Sequence, residues 1–249
     1  MCLINFAYGI DDTYDLVVAA NRDEFYERPT AQAHFWEDAP HILAGRDLEK
    51  MGTWMGVTKE GRFAALTNYR DPGEETEGKR SRGELVSGFL MGDEDPESYL
   101  KGIQNNRDQY PGFNLIVYDG RSLFYYSNRE DEIRVLEPGV YGLSNHLLNT
   151  PWPKVTKGKE GLQQCLKGSA GNLKECIFSS LQHAEPAPDE ELPDTGIPLE
   201  WERNLSPLFI QTPQYGTRAS TLVFMNREEV RFVERVYERD SSHEQEFTI

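Results

Sequence analysis

The sequence predicts an α+β protein. Strand-like apolar runs gather at both ends of the chain, capped helical patterns follow the first group, and further helical segments precede the last strands. No long linker or internal repeat divides the chain, so residues 1–249 are expected to form one domain. A chain of this length buries roughly 70–75% of the surface its unfolded form exposes, enough for a core without a disulfide staple.

The apolar runs 3–7 and 16–20 flank the Asp11-Asp12 turn as a hairpin. Residues 54–57 and 63–67 form a second pair around Glu60-Gly61. Between them, 29–45 is polar and proline-interrupted, and reads as a covering loop with short strands. Ser81 and Glu84 have capping-box spacing, with Leu85, Phe89 and Leu90 on one helical face behind them. Asp95 as N-cap and Pro96 at the first helical position open a second helix, ending near Arg107.

Runs 113–118, 123–126 and 140–143 return to strand. Helices are expected over 159–170 and 173–181, with Cys165 and Cys176 as core fillers. Four prolines make 185–198 a solvated loop. A hairpin of 220–225 and 230–237 closes the chain.

Three cysteines, Cys2, Cys165 and Cys176, make an odd and sparse set that fits a reducing compartment, and no secretory signal or membrane-length apolar run occurs. A cytoplasmic protein without an integral membrane segment is expected. The net charge of −16, from 26 basic and 42 acidic residues, disfavours nucleic-acid binding. Arginines can still converge locally on an anionic ligand. The five histidines lack zinc-site spacing, so no metal is expected, and no glycine-rich phosphate loop supports a nucleotide mechanism.

The chemistry centres on Cys2. Removal of Met1 would leave a thiol and a free α-amine on one residue, a nucleophile with its own base; the plain alternative is a small buried hydrophobe in the first strand. Asn21-Arg22-Asp23-Glu24 follows the strand at 16–20 and is either a surface turn or the rim of a site. There Arg22 would favour the thiolate and Asp23 would orient the amine. Asn68 and Asn145 close apolar runs, as turn caps or as donors to an oxyanion. Arg218 precedes the last apolar stretch, as a surface residue or as a second cation for an anionic group. Among the histidines, His146 alone neighbours a candidate residue.

Ala20-Asn21-Arg22-Asp23-Glu24-Phe25 resembles the signature of the NRDE family, also called the transport and Golgi organisation protein 2 family. Met1-Cys2, Ala44-Gly45-Arg46-Asp47, Gly52-Thr53-Trp54-Met55-Gly56-Val57 and Ala65-Leu66-Thr67-Asn68-Tyr69-Arg70 agree with it. So do Ser81-Arg82-Gly83-Glu84-Leu85-Val86, Gly142-Leu143-Ser144-Asn145, Thr150-Pro151-Trp152-Pro153-Lys154 and Tyr215-Gly216-Thr217-Arg218.

The resemblance implies an N-terminal nucleophile hydrolase fold, a four-layer αββα sandwich with two mainly antiparallel sheets. It is similar in this to the bile salt hydrolases and penicillin V acylases, which cleave amides outside peptides. By that similarity Cys2 is the nucleophile, its α-amine the base and Asp23 the amine's partner. Asn145 and Asn68 match the oxyanion asparagines, and Arg218 the distal arginine. No cofactor is required for such hydrolysis. Arg22 departs from the pattern, because those hydrolases place their early arginine three residues before the aspartate. Adjacent strand residues point to opposite faces, which would separate Arg22 from Asp23. The family's associations with haem trafficking and acyl-CoA handling imply an alternative, a non-enzymatic haem or acyl-ligand carrier with Cys2 or His146 as haem ligand.

Overall fold

The computed structural model describes residues 2–168, 170–238 and 241–249. Met1 lies outside them, and with it the question of its removal. The chain opens with β1 (Cys2–Tyr8) and β2 (Leu16–Phe25). It crosses to β3 (Thr30–Phe35), β4 (Ile42–Asp47), β5 (Met55–Thr58) and β6 (Phe63–Asn68). Helices α1 (Gly83–Met91) and α2 (Pro96–Asn105) lead to β7 (Phe113–Tyr118), β8 (Leu123–Ser127) and β9 (Ile133–Val135). After β10 (Gly139–Leu143) come α3 (Pro153–Leu166), α4 (Leu173–Leu181) and α5 (Leu199–Leu205). The last strands are β11 (Tyr215–Met225), β12 (Val230–Tyr237) and β13 (Ser242–Thr248).

One sheet has the order β10-β1-β2-β11-β12-β13 and the other β3-β4-β5-β6-β7-β8-β9, with antiparallel neighbours throughout. Strand alternation builds the layers. Ile4, Phe6, Leu16, Val18 and Ala20 meet Leu43, Met55, Val57 and Phe63 between the sheets. Ala7, Val17 and Ala19 point the other way, onto Leu162, Ile177 and Phe178 of α3 and α4. The outer face of the second sheet is covered by Leu85, Phe89 and Leu90 of α1 and Leu100 of α2. The result is the expected αββα sandwich.

Several local expectations are corrected. The stretch 29–45 carries short strands as expected, but β3 and most of β4 are sheet members and not a covering loop, with the polar residues gathered on the edge strand β3. The capping box does not form: the Ser81 hydroxyl accepts from the Gly83 N–H at 3.3 Å, while Glu84 pairs with Arg80 at 2.7 Å. Helix α3 starts six residues before the expected 159, at Pro153, whose missing N–H is harmless in a first turn. The strand β13 extends the sheet beyond the hairpin expected to close the chain, and the helix α5 follows the proline-rich loop. Cys165 and Cys176 do pack in the core beside α3 and α4, but as a disulfide with Cα atoms 5.7 Å apart. Cys2 is the free thiol.

Candidate active site

Cys2 is half-buried at the start of β1 and pairs across the sheet with Arg22 of β2. Paired residues share a face, and this face is the one turned toward the second sheet. Arg22 is 7% exposed and lies flat over Trp54, its guanidinium carbon 4.1 Å from the ring centroid. Its Nη2 is 3.9 Å from Glu24 Oε2. Asp23 turns to the opposite face, as alternation requires, and its Oδ1 accepts the Thr217 hydroxyl at 2.7 Å. Asn21 shares that face and ties the sheet to its helical cover, donating to the carbonyls of Leu181 and Leu208 at 3.0 and 2.8 Å.

Cys2, Arg22, Asp23 and Asn68 all border one cavity of about 340 Å³. Trp54, Leu66 and Pro111 give it apolar walls. Its ionic lining is basic, with Arg22, Arg28, Lys50, Lys79, Arg80 and Arg82 against Asp23, Glu24 and Asp47. Six cations facing three acids stand out on a chain of charge −16. Arg28 is committed to Asp47 at 2.7 Å, whereas Arg82 donates to the Gly112 carbonyl at 3.0 Å. Ser81, Arg82 and Gly83 bring the N-terminus of α1 to the same wall, adding its partial positive charge.

Asn145 is fully buried, and one of its side-chain N–H groups donates to the Asn68 carbonyl at 3.0 Å. The Ser144 hydroxyl lies 3.2 Å from both the Cys2 carbonyl and Asn145 Oδ1, so its one proton serves either in turn. Thus Cys2, Ser144, Asn145 and Asn68 form one connected patch across the two sheets. Arg218 is placed elsewhere. It sits at the bulge between Thr217 and Ala219 and donates to the carbonyls of Arg28 and Phe25 at 2.6 and 3.3 Å. It lines a larger groove of about 1020 Å³ with Phe25, Tyr26, Phe209 and Tyr237, which does not include Cys2. His146 contacts the Tyr69 hydroxyl through Nε2 and the Thr150 hydroxyl through Nδ1, each at 2.9 Å. Ligation of a haem by either nitrogen would break one of these contacts.

Burial pushes the Cys2 thiol up, and Asp23 and Glu24 add to the shift while Arg22 opposes it. The thiol is therefore a weak nucleophile until a base removes its proton. Burial likewise raises the Asp23 carboxyl, with Lys154 the foremost cation holding it down.

Lys154, Ser144 and Arg82 did not emerge from sequence reasoning as site residues. Lys154 did leave one readable signal: a lysine directly after Trp152-Pro153 sits in a helix's first turn, where the macrodipole disfavours a cation. Among the described residues, no cluster of three or more His, Cys, Asp or Glu could hold a metal, and no helix is long and apolar enough to cross a membrane.

The Transport and Golgi organisation 2 family model matches residues 1–239. The Mus musculus Transport and Golgi organization 2 homolog is 38% identical, covering 97% of this chain and 95% of the relative. Drosophila melanogaster Transport and Golgi organization protein 2 is 28% identical over 94% of this chain and 91% of its own. Among solved structures, a Caenorhabditis elegans N-acylethanolamine-hydrolyzing acid amidase ortholog superposes with a TM-score of 0.49 at 11% identity, covering 90% of this chain and 92% of its own. A variant of the conjugated bile acid hydrolase of Clostridium perfringens gives 0.49 at 10% identity, over 97% and 92%. With the family model matching residues 1–239 and a 38% identical relative covering 97% of its length, the chain belongs to the Transport and Golgi organisation 2 family.

Proposed function

We propose that the protein is a cysteine-type N-terminal nucleophile amidohydrolase acting on a small, non-peptide amide that carries an anionic group. The observation that carries this reading is the position of Cys2, the free thiol, on the wall of a cavity it shares with Arg22 and Asn68. Asn145 stands immediately behind Asn68. After Met1 is removed, the Cys2 α-amine takes the thiol proton and the sulfur adds to the amide carbon. The oxyanion is held by the side-chain amide N–H of Asn68, which Asn145 braces from behind through its hydrogen bond to the Asn68 carbonyl. Its collapse expels the amine, which takes the proton from the α-ammonium and leaves an acyl-thioester on Cys2. Water attacks that thioester, releases the carboxylic acid and restores the thiol. No cofactor enters this scheme.

The basic lining supports an anionic substituent on the substrate, bound toward Arg82 and the start of α1. The same lining would suit the carrier alternative, in which haem propionates or an acyl ligand's anionic head sit there without reaction.

Untagged protein, first weighed intact to establish loss of Met1, is assayed with N-acyl amides bearing or lacking a terminal carboxylate. Turnover of the anionic amide, abolished in C2A, is the expected result. Retention of Met1 or equal turnover by C2A overturns the mechanism. Binding without turnover in both proteins identifies a carrier instead.

A further inference from the structure

Lys154 is the second residue of α3 and is only 2% exposed. Among the described residues its Nζ has no hydrogen-bond partner. Close packing puts it there: Gly158, one turn further along α3, rests on the Asn5 side chain of β1, where any Cβ would overlap the amide. Leu3 of β1 packs on Trp152 and Val155 on either side of the lysine. Lys154 therefore enters from the helical side of the first sheet, the side to which Asp23 also turns.

Three effects disfavour a charge at this position. Burial strips its hydration, the N-terminus of α3 is itself electropositive, and the guanidinium of Arg70 is a like charge nearby. Asp23, Cys2 and Glu202 act in the opposite sense. A methionine would fill the same space without these costs. A buried cation kept against such terms needs a compensating partner, and Asp23 is the foremost of those that favour it. The relation is mutual, since Lys154 leads the cations that favour the Asp23 carboxylate, ahead of Arg22. Among the described residues no ion pair or hydrogen bond joins these two side chains to each other, so their coupling acts through space, where burial leaves it weakly screened.

We propose that Lys154 is a positioning residue that keeps Asp23 ionised beneath the strand ends of β1 and β2, so that the carboxylate remains an acceptor for the Cys2 amine. The groups facing the pair are Cys2 and Arg22 from the strand ends, Thr217 and Tyr215 from β11, Arg70 after β6 and Glu202 of α5. For its effect on turnover the inference rests on the amidohydrolase reading; the Lys154–Asp23 coupling itself does not.

The test follows the carboxyl carbon resonances of aspartate-labelled full-length protein through a pH titration, with Asp23 assigned by its loss in D23N. In K154M the Asp23 midpoint is expected to move up by about one pH unit or more, as loss of a nearby opposite charge requires. K154R, which keeps the charge, leaves it in place, and Lys154→Gln is a second neutral variant should methionine impair folding. An unchanged midpoint in a folded neutral variant overturns the proposal. So does an equal shift in K154R, which would trace the effect to packing. If the wild type turns over an amide, the acid limb of its kcat profile should follow the Asp23 midpoint in each variant. If the Asp23 shift is found and no amide is turned over, the amidohydrolase reading fails and the coupling stands.

Discussion

Cys2 and Arg22 are register partners on β1 and β2, and the guanidinium of Arg22 is clamped 4.1 Å from the Trp54 ring of the facing sheet. The pairing places the positive charge on the thiol's own face, while Asp23 is left on the other. Adjacency of Arg22 and Asp23 in sequence thus divides the two between the faces of one strand end. One tunes the sulfur and the other lies on the helical side.

Arg22→Ala should make Cys2 less reactive. The thiol is already raised by burial, and Arg22 is among the groups that pull it down. Without it the thiolate fraction falls at any given pH, and the alkylation profile moves to higher pH. A roughly three- to tenfold loss of iodoacetamide rate at pH 8 is expected. Arg22→Lys should fall between, since it keeps a charge but loses the flat stack on Trp54. An identical profile in the alanine variant would exclude the electrostatic role.

Lys154 should also mark the pH dependence of stability. Its folded-state pKa is depressed to about 8 from 10.5, chiefly by burial. Between these values the unfolded chain holds a proton that the folded chain has released, so stability rises with pH across that window. The size of the rise is about 3 kcal/mol at most. Urea unfolding at pH 7.5, 9 and 10.5 should show this component in the wild type and lack it in K154M.

The Arg70–Glu202 pair joins the segment after β6 to α5, with Nη1 and Oε2 2.7 Å apart and side chains only 8% and 4% exposed. Cutting one member takes the opposite charge away from a buried partner. Glu202→Gln should cost about 3 kcal/mol in urea unfolding, and replacing both by apolar residues should cost less than the two single changes together.

The Cys165–Cys176 bond spans 11 residues between α3 and α4. Reduction, or C165S with C176S, should lower stability by about 2–3 kcal/mol through restored freedom of the unfolded chain. Comparing unfolding with and without a phosphine reductant checks this. Cys2 alkylation, measured on folded protein, should be unaffected.

The sequence by itself determined the strand-rich ends, the hairpin turns and the helix started by Asp95 and Pro96, since these follow from local periodicity and backbone chemistry. The side chain of Asp95 does accept the Ser98 N–H at 3.0 Å. The signature stretches were also legible, down to Cys2, Arg22, Asp23, Asn68 and Asn145. Their assembly was not. Asn68 and Asn145 are 77 positions apart and meet through one hydrogen bond between two sheets. Lys154 reads only as a lysine after Trp152-Pro153 until α3 packs on β1 and removes its water. Arg218 looks like its neighbours until a bulge turns it into another groove. Only the tertiary structure decided these points, because strand register and helix packing set which distant groups share a face, and burial then sets the strength of their charges.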